Sequence, residues 1–158
     1  LAPSIMLRIS KLTDYATLVT VALAEEPETR LPASRVAEKT RLELPTVAKI
    51  LKMLAQAGLV ESFRGVNGGY RLCQAPEEIS VAAVIRAMEG PIALTECSLE
   101  PGLCSHESRC HLRGNWQKIG AVVEGALEEL SVADMMVPAS PRITLLADDK
   151  VETQPTTY

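Results

Sequence analysis

Between Leu12 and Cys73 the spacing of apolar residues passes from a helical to a strand-like period, in an order that few small folds accommodate. Leu12–Ala24, LTDYATLVTVALA, repeats apolar residues at helical steps and is closed by Glu25, Glu26 and Pro27. Leu31–Thr40 predicts a short second helix, with Ser34 near its start and Val36 and Ala37 for burial. The turn Arg-Leu-Glu-Leu follows. Pro45 suits the first position of a third helix, where a missing N–H has no intrahelical partner. Pro45–Gln56 sets Val47, Ile50, Leu51 and Leu54 on one face, and Gly58 supplies the stop. Leu59–Arg64 and Gly69–Cys73 are strand candidates around Asn67-Gly68, a dipeptide that predicts a hairpin because both residues tolerate positive φ. Helix, helix-turn-helix and hairpin in that order predict a winged helix-turn-helix: a mainly α fold with a small β-hairpin wing.

A further helix is expected from Pro76–Glu78 through Val81, Val84, Ile85 and Met88 to Gly90. Trp116–Leu130 carries Ile119, Val122, Val123, Ala126, Leu127 and Leu130 at steps of three and four, a stripe able to pair with a second copy of itself. Gly120 and Gly125 weaken it slightly as a lone helix. Ser131 is a candidate cap for a short helix, Val132–Met136. The expected organisation is a DNA-binding domain over 6–90, a cysteine segment over 91–112, a dimerisation helix with a short terminal helix over 113–136, and a disordered tail over 137–158.

Of the 158 residues, 47% are hydrophobic but only 3% aromatic, so the core must be built from Leu, Val, Ile and Ala. No apolar run approaches the roughly 18 residues that cross a bilayer, and the first residues lack the layout of a signal peptide. Met6 is a candidate natural start, with Leu1–Ile5 preceding it. A cytoplasmic protein without a membrane partner is expected, and in that compartment clustered cysteines point to ligands or redox groups rather than structural disulfides.

The net charge of −4 hides an asymmetry: Arg30–Ala75 holds eight basic residues against three acidic ones, so that segment is +5 and the remainder −9. A locally basic module in an acidic chain suits a duplex-binding face. In a helix-turn-helix the N-terminal part of the second helix meets base edges. Here that part carries Thr46 and Lys49, with Lys52 a turn later, beside Ala48, which offers little polar readout. Arg64 at the base of the hairpin is placed to approach the minor groove, whose negative potential attracts arginine. Arg8, Ser10 and Lys11 before the first helix, and Arg35 in the second, complete the candidate DNA contacts.

Cys97, Cys104 and Cys110 lie in one run, with six and five residues between them. This is not the Cys-x2-Cys knuckle of structural zinc sites. Wider spacing on a loop suits a bulkier object such as an iron–sulfur cluster, because soft thiolates match its irons. Zinc and a thiol redox switch are the alternatives. Three thiols leave one coordination position for another group, and His106 and His111 lie in the same run. Cys73, on the second strand, is expected to be a small buried hydrophobe.

The chain resembles the winged-helix iron–sulfur cluster regulator family, with its IscR-like and nitric-oxide-sensing NsrR-like branches. The resemblance rests on MLRISKLTDYA at Met6–Ala16, LVESFRGVNGGYRL at Leu59–Leu72, and the three cysteines with Trp116 six residues beyond the last. It covers about Met6–Met136, and KLTDYA looks closest to the branch that regulates the SUF cluster-assembly operon. It implies a homodimer joined through the long C-terminal helix, with a [2Fe–2S] or [4Fe–4S] cluster in the loop before it. In the nitric-oxide-sensing branch an acidic residue at the start of helix one completes the partner's cluster, and Asp14 matches it. Several relatives use a histidine three residues after the last cysteine. That position here is Arg113, so the fourth ligand lies between Asp14 and His111, with Asp14 preferred.

The function expected is a DNA-binding regulator that senses cluster status and controls SUF-type assembly genes on a double-stranded DNA operator. The alternative is a zinc- or thiol-switched winged-helix repressor. No Ser/His/Asp or paired-carboxylate constellation points to an enzyme or a small-molecule substrate.

Overall fold

The computed structural model describes residues 8–99, 102, 104–105 and 109–138; the side chain of Cys97 lies outside the described residues, as do Met6, His106 and the expected tail beyond 138. The elements run α1 (Lys11–Ala24), α2 (Ala33–Thr40), α3 (Leu44–Gln56), β1 (Val60–Phe63), β2 (Gly69–Leu72), a 3-10 turn (Pro76–Glu78), α4 (Val81–Glu89), α5 (Glu96–Leu99), α6 (Arg113–Glu128) and α7 (Val132–Met136). This is the winged helix-turn-helix order. The core is aliphatic: Ala16, Val19 and Leu23 of α1 meet Val36 of α2, Val47, Ile50, Leu51 and Leu54 of α3, and Val84 of α4. Its closure follows from apolar burial on one face of each helix.

Local chemistry sets most boundaries. Ser10 caps α1 by accepting from the Thr13 N–H, and Ser80 caps α4 by accepting from the Ala83 N–H. The turn of the helix-turn-helix is made by Arg41 in the left-handed conformation, φ 56°. Four expectations are corrected. Helix α2 starts at Ala33 rather than Leu31, with Pro32 before it and no side-chain cap from Ser34, because Leu31 is taken up by β2: its N–H donates to Tyr70 and its carbonyl accepts from Tyr70 at 2.9 and 2.8 Å. Pro45 is the second residue of α3, after Leu44, and its missing N–H still goes unneeded there.

The hairpin pairs Phe63 with Gly69, but its positive-φ residues are Gly65 (98°) and Gly69 (153°), not Asn67 and Gly68. The Gly68 N–H closes the turn on the Gly65 carbonyl at 2.9 Å. Gly69 is also required by close approach, since a Cβ there would stand 2.8 Å from the Leu31 carbonyl carbon. Finally, Pro76–Glu78 does not run on into α4. The chain extends at Ile79 and Ser80, and this break receives the C-terminal segment: Val132 N–H donates to Ile79 and Val81 N–H to Leu130, both at 2.8 Å. Val132 is buried in the core of the N-terminal helices, so α7 belongs to it.

Candidate DNA interface and cysteine segment

On α3 the buried Val47, Ile50, Leu51 and Leu54 fix which side faces out. At 100° per residue Lys49 and Lys52 project opposite the core and are exposed, while Thr46 borders it and is half-buried. Ala48 is exposed between them. Arg64 follows β1 directly and is exposed at the start of the wing loop.

The eight basic residues of the 30–75 segment divide once ion pairs are drawn. Lys39 sits between Glu25 and Glu26 at 2.9 and 2.7 Å, clasping α2 to the end of α1. The Glu26 hydrogen bond raises the Lys39 ammonium pKa, and Lys39 in turn lowers that of Glu26. Arg35 pairs with Glu38 at 2.9 Å and Arg71 with Glu61 at 3.4 Å. Arg30, Arg41, Lys49, Lys52 and Arg64 have no carboxylate partner among the described residues. Four of these five lie on α3, the turn before it and the wing, and the fifth, Arg30, precedes α2.

At the N-terminus Arg8 and Lys11 are exposed, and the Lys11 ammonium lies 5.5 Å from the Tyr15 ring centre. The Ser10 hydroxyl is already engaged by capping and by Thr13 Oγ1 at 3.0 Å. Beneath it, Glu89 at the end of α4 accepts from the Thr13 hydroxyl at 2.5 Å and from the Ser10 N–H at 3.0 Å. These donors, Thr13 foremost, hold the Glu89 carboxyl below its usual range. Asp14, exposed on the first turn of α1, lines a groove of about 360 Å³ with Arg8, Ile9, Lys11, Thr17, Val81, Ile85 and Met135. Among the described residues, Cys73, Cys104 and Cys110 do not line it.

The cysteine segment begins at Pro91, two residues after Glu89, and ends at α6. Cys97 lies within α5, and Cys104 and Cys110 are half-buried free thiols; His111 is exposed. Among the described residues no three His, Cys, Asp or Glu converge as a metal shell. Cys73 is exposed, a correction to its expected burial: Leu72, the last residue of β2, turns inward and the following side chain points out. Partial desolvation and then the Glu61 charge raise the Cys73 thiol pKa, opposed by Arg71.

Beyond the segment, Arg86 of α4 reaches Glu124 at 2.7 Å and Glu128 at 2.5 Å on α6. Helix α6 divides its apolar stripe. Val123 and Leu127 are half-buried, whereas Trp116, Ile119, Val122, Ala126 and Leu130 remain exposed, Val122 at 73%. The sequence reading missed the polar links at Thr13, Arg86 and Glu89. Only the acid at the end of a short helix could have signalled one of them. Among the described residues no helix is long and apolar enough to cross a membrane.

Residues 9–138 match the family Rrf2, described as "Iron-dependent Transcriptional regulator". The chain is 30% identical over 133 residues to the HTH-type transcriptional regulator NsrR of Shouchella clausii, covering 83% of this chain and 89% of that one. Among solved structures it is similar to CymR, the global cysteine regulator of B. subtilis, at 27% identity and a TM-score of 0.64, covering 82% of this chain and 96% of that one. It is also similar to T. potens IscR, at 30% identity and a TM-score of 0.60, covering 82% and 86%.

Proposed function

The chain belongs to the Rrf2 family of transcriptional regulators, and on that premise we propose that it is a homodimeric repressor or dual regulator that reads duplex DNA, senses iron–sulfur cluster status and controls SUF-type cluster-assembly genes. Lys49, Lys52 and Thr46 enter the major groove, Arg64 approaches the minor groove, and Arg8, Ser10, Lys11 and Arg35 meet phosphates. The exposed face of α6 pairs with its copy, which explains why Val122 and Ile119 lie bare on a single chain.

Cys97, Cys104 and Cys110 hold the cluster, with the partner's Asp14 as fourth ligand in preference to His111. The donor chemistry fits, since thiols within one segment are soft ligands, and Cys104 and Cys110 are free. When bound, a [2Fe–2S] or [4Fe–4S] cluster supplies a redox-active, oxidant-labile centre. Asp14 suits ligation in trans because it is exposed on the first turn of α1, and among the described residues neither Cys104 nor Cys110 lines the groove beside it.

The observation that carries the sensing role is the anchorage of the cysteine segment at both ends. Glu89, just before it, is bonded to the N-terminus of α1, and α6, just after it, is ion-paired to α4. A change of shape between these anchors therefore biases both the first helix and the dimer helix, the differential coupling that linkage demands.

Anaerobic purification with iron, sulfide and visible-spectrum analysis tests the reading, followed by single Ala substitutions. The expected result is a brown protein whose absorption is lost in Cys97→Ala, Cys104→Ala and Cys110→Ala but kept in Cys73→Ala. Operator affinity should differ between loaded and stripped forms. Full retention of absorption in any of the three variants overturns the ligand assignment. A colourless protein that contains zinc, or whose DNA affinity follows thiol oxidation, establishes the second reading, a zinc- or thiol-switched repressor. The likeness to a cysteine regulator and the free thiols of Cys73, Cys104 and Cys110 favour that alternative.

A further inference from the structure

We propose that Arg30, which lies outside the helix-turn-helix, is a phosphate-binding residue of the duplex interface, held in position by the ring of Phe63. The inference rests on the DNA-binding reading above and adds a residue to it. The Arg30 guanidinium stands 3.9 Å from the centre of the Phe63 ring. Phe63 ends β1, and Arg64 follows it into the wing loop.

The backbone at Arg30 is fastened to the same hairpin. Its neighbour Leu31 exchanges two hydrogen bonds with Tyr70, and Gly69 packs so closely that a Cβ there would lie 3.0 Å from the Arg30 carbonyl carbon. Arg30 therefore moves with the wing rather than as a free surface side chain.

An aromatic face attracts a cation through its quadrupole and fixes the plane of the guanidinium, yet it uses none of the five N–H donors along the guanidinium edge. Among the described residues no carboxylate or hydroxyl accepts from Arg30. Arg71, whose guanidinium is 5.4 Å from the same ring centre, is instead paired with Glu61. Arg30 is thus the cation on this ring that is both oriented and unspent. Helix α2 starts three residues later, and no side chain caps its leading N–H groups, a polarity that favours the same anion. A backbone phosphate, planar-fork recognition and a positive helix end are chemically matched.

The test uses the full chain and a labelled duplex that the wild-type protein selects from a random-sequence pool. Binding is measured by anisotropy across a salt series, and melting of each variant is recorded alongside. Arg30→Gln should weaken binding roughly three- to tenfold at 0.1 M salt and make the slope of log K against log salt shallower by about one. Phe63→Leu keeps the charge but frees the guanidinium. It should weaken binding by a smaller factor at an unchanged slope, and Phe63→Tyr should restore wild-type affinity. A slope in Arg30→Gln equal to that of the wild type, with melting unchanged, overturns the proposal and leaves Arg30 a brace for the wing. If the wild-type chain selects no duplex, the DNA-binding reading itself fails, a result separable from the first.

Discussion

The Thr13 hydroxyl donates to the Glu89 carboxylate at 2.5 Å, joining the first turn of α1 to the last residue of α4 across 76 positions of sequence. Thr13 is fully buried, and the same carboxylate oxygen also takes the Ser10 N–H. The link is local in space and remote in sequence, and it fixes how the first helix leaves the residue from which the cysteine segment departs.

That link makes stability pH-dependent in a defined direction. Glu89 has its folded pKa depressed below 4.5, first by Thr13 and then by Ser10. The unfolded chain therefore binds the proton more readily, and the contribution is present at neutral pH. It is lost as pH falls below about 4.5 through the depressed folded value. Glu89→Gln should flatten this part of the acid limb in melting temperature measured from pH 7 to 3. An acid limb identical to that of the wild type would show that the carboxylate contributes nothing.

Val132→Ala removes two buried methyl groups from the place where α7 enters the core. Loss of transfer energy and the remaining cavity should lower stability by about 2 kcal/mol in urea denaturation. A change below about 0.5 kcal/mol would mean that α7 is peripheral to the DNA-binding domain.

Gly69→Ala should destabilise by about 2 kcal/mol or more, because φ of 153° disfavours a side chain and the new Cβ would meet the Leu31 backbone. The same change should loosen the wing and weaken DNA binding. Gly58→Ala is the control. It meets the left-handed penalty at φ 75° but no neighbouring atom, so it should cost roughly 1 kcal/mol.

Val122→Glu addresses the proposed dimer. At 73% exposure on a single chain the substitution disturbs no internal packing. Light scattering should report a monomer at concentrations where the wild-type chain is a dimer, and circular dichroism should remain unchanged. An unaltered dimer would place the contact on another face.

The order of helices and hairpin was legible in the sequence because each element buries one face and so repeats its apolar residues at a fixed period. Leu31 is misread because a single residue carries no period, and only Tyr70 of β2 reveals it as a bridge to the hairpin. The continuous helix expected from Pro76 is broken by a partner distant in sequence, Leu130–Val132 at Ile79 and Val81. The site was legible as residue types, namely three thiols in one run and lysines on the outer face of α3. Which cations stay unpaired was not, because neutralisation of Lys39 by Glu25 and Glu26 depends on how α1 lies against α2. Cys73 was misassigned from its strand-like surroundings, although the register of Leu72 turns it outward.

The return of Val132 into the first domain bears on synthesis at the ribosome. A nascent chain that has emerged only as far as Leu130 holds both reading helices and the wing, yet still lacks the residue that fills the gap between α1 and the 3-10 turn. The reading head reaches its full stability only after α6 has been made and α7 has folded back. Translation order thereby sets an order of folding in which the N-terminal core is closed last, by a segment made after every helix that it packs against.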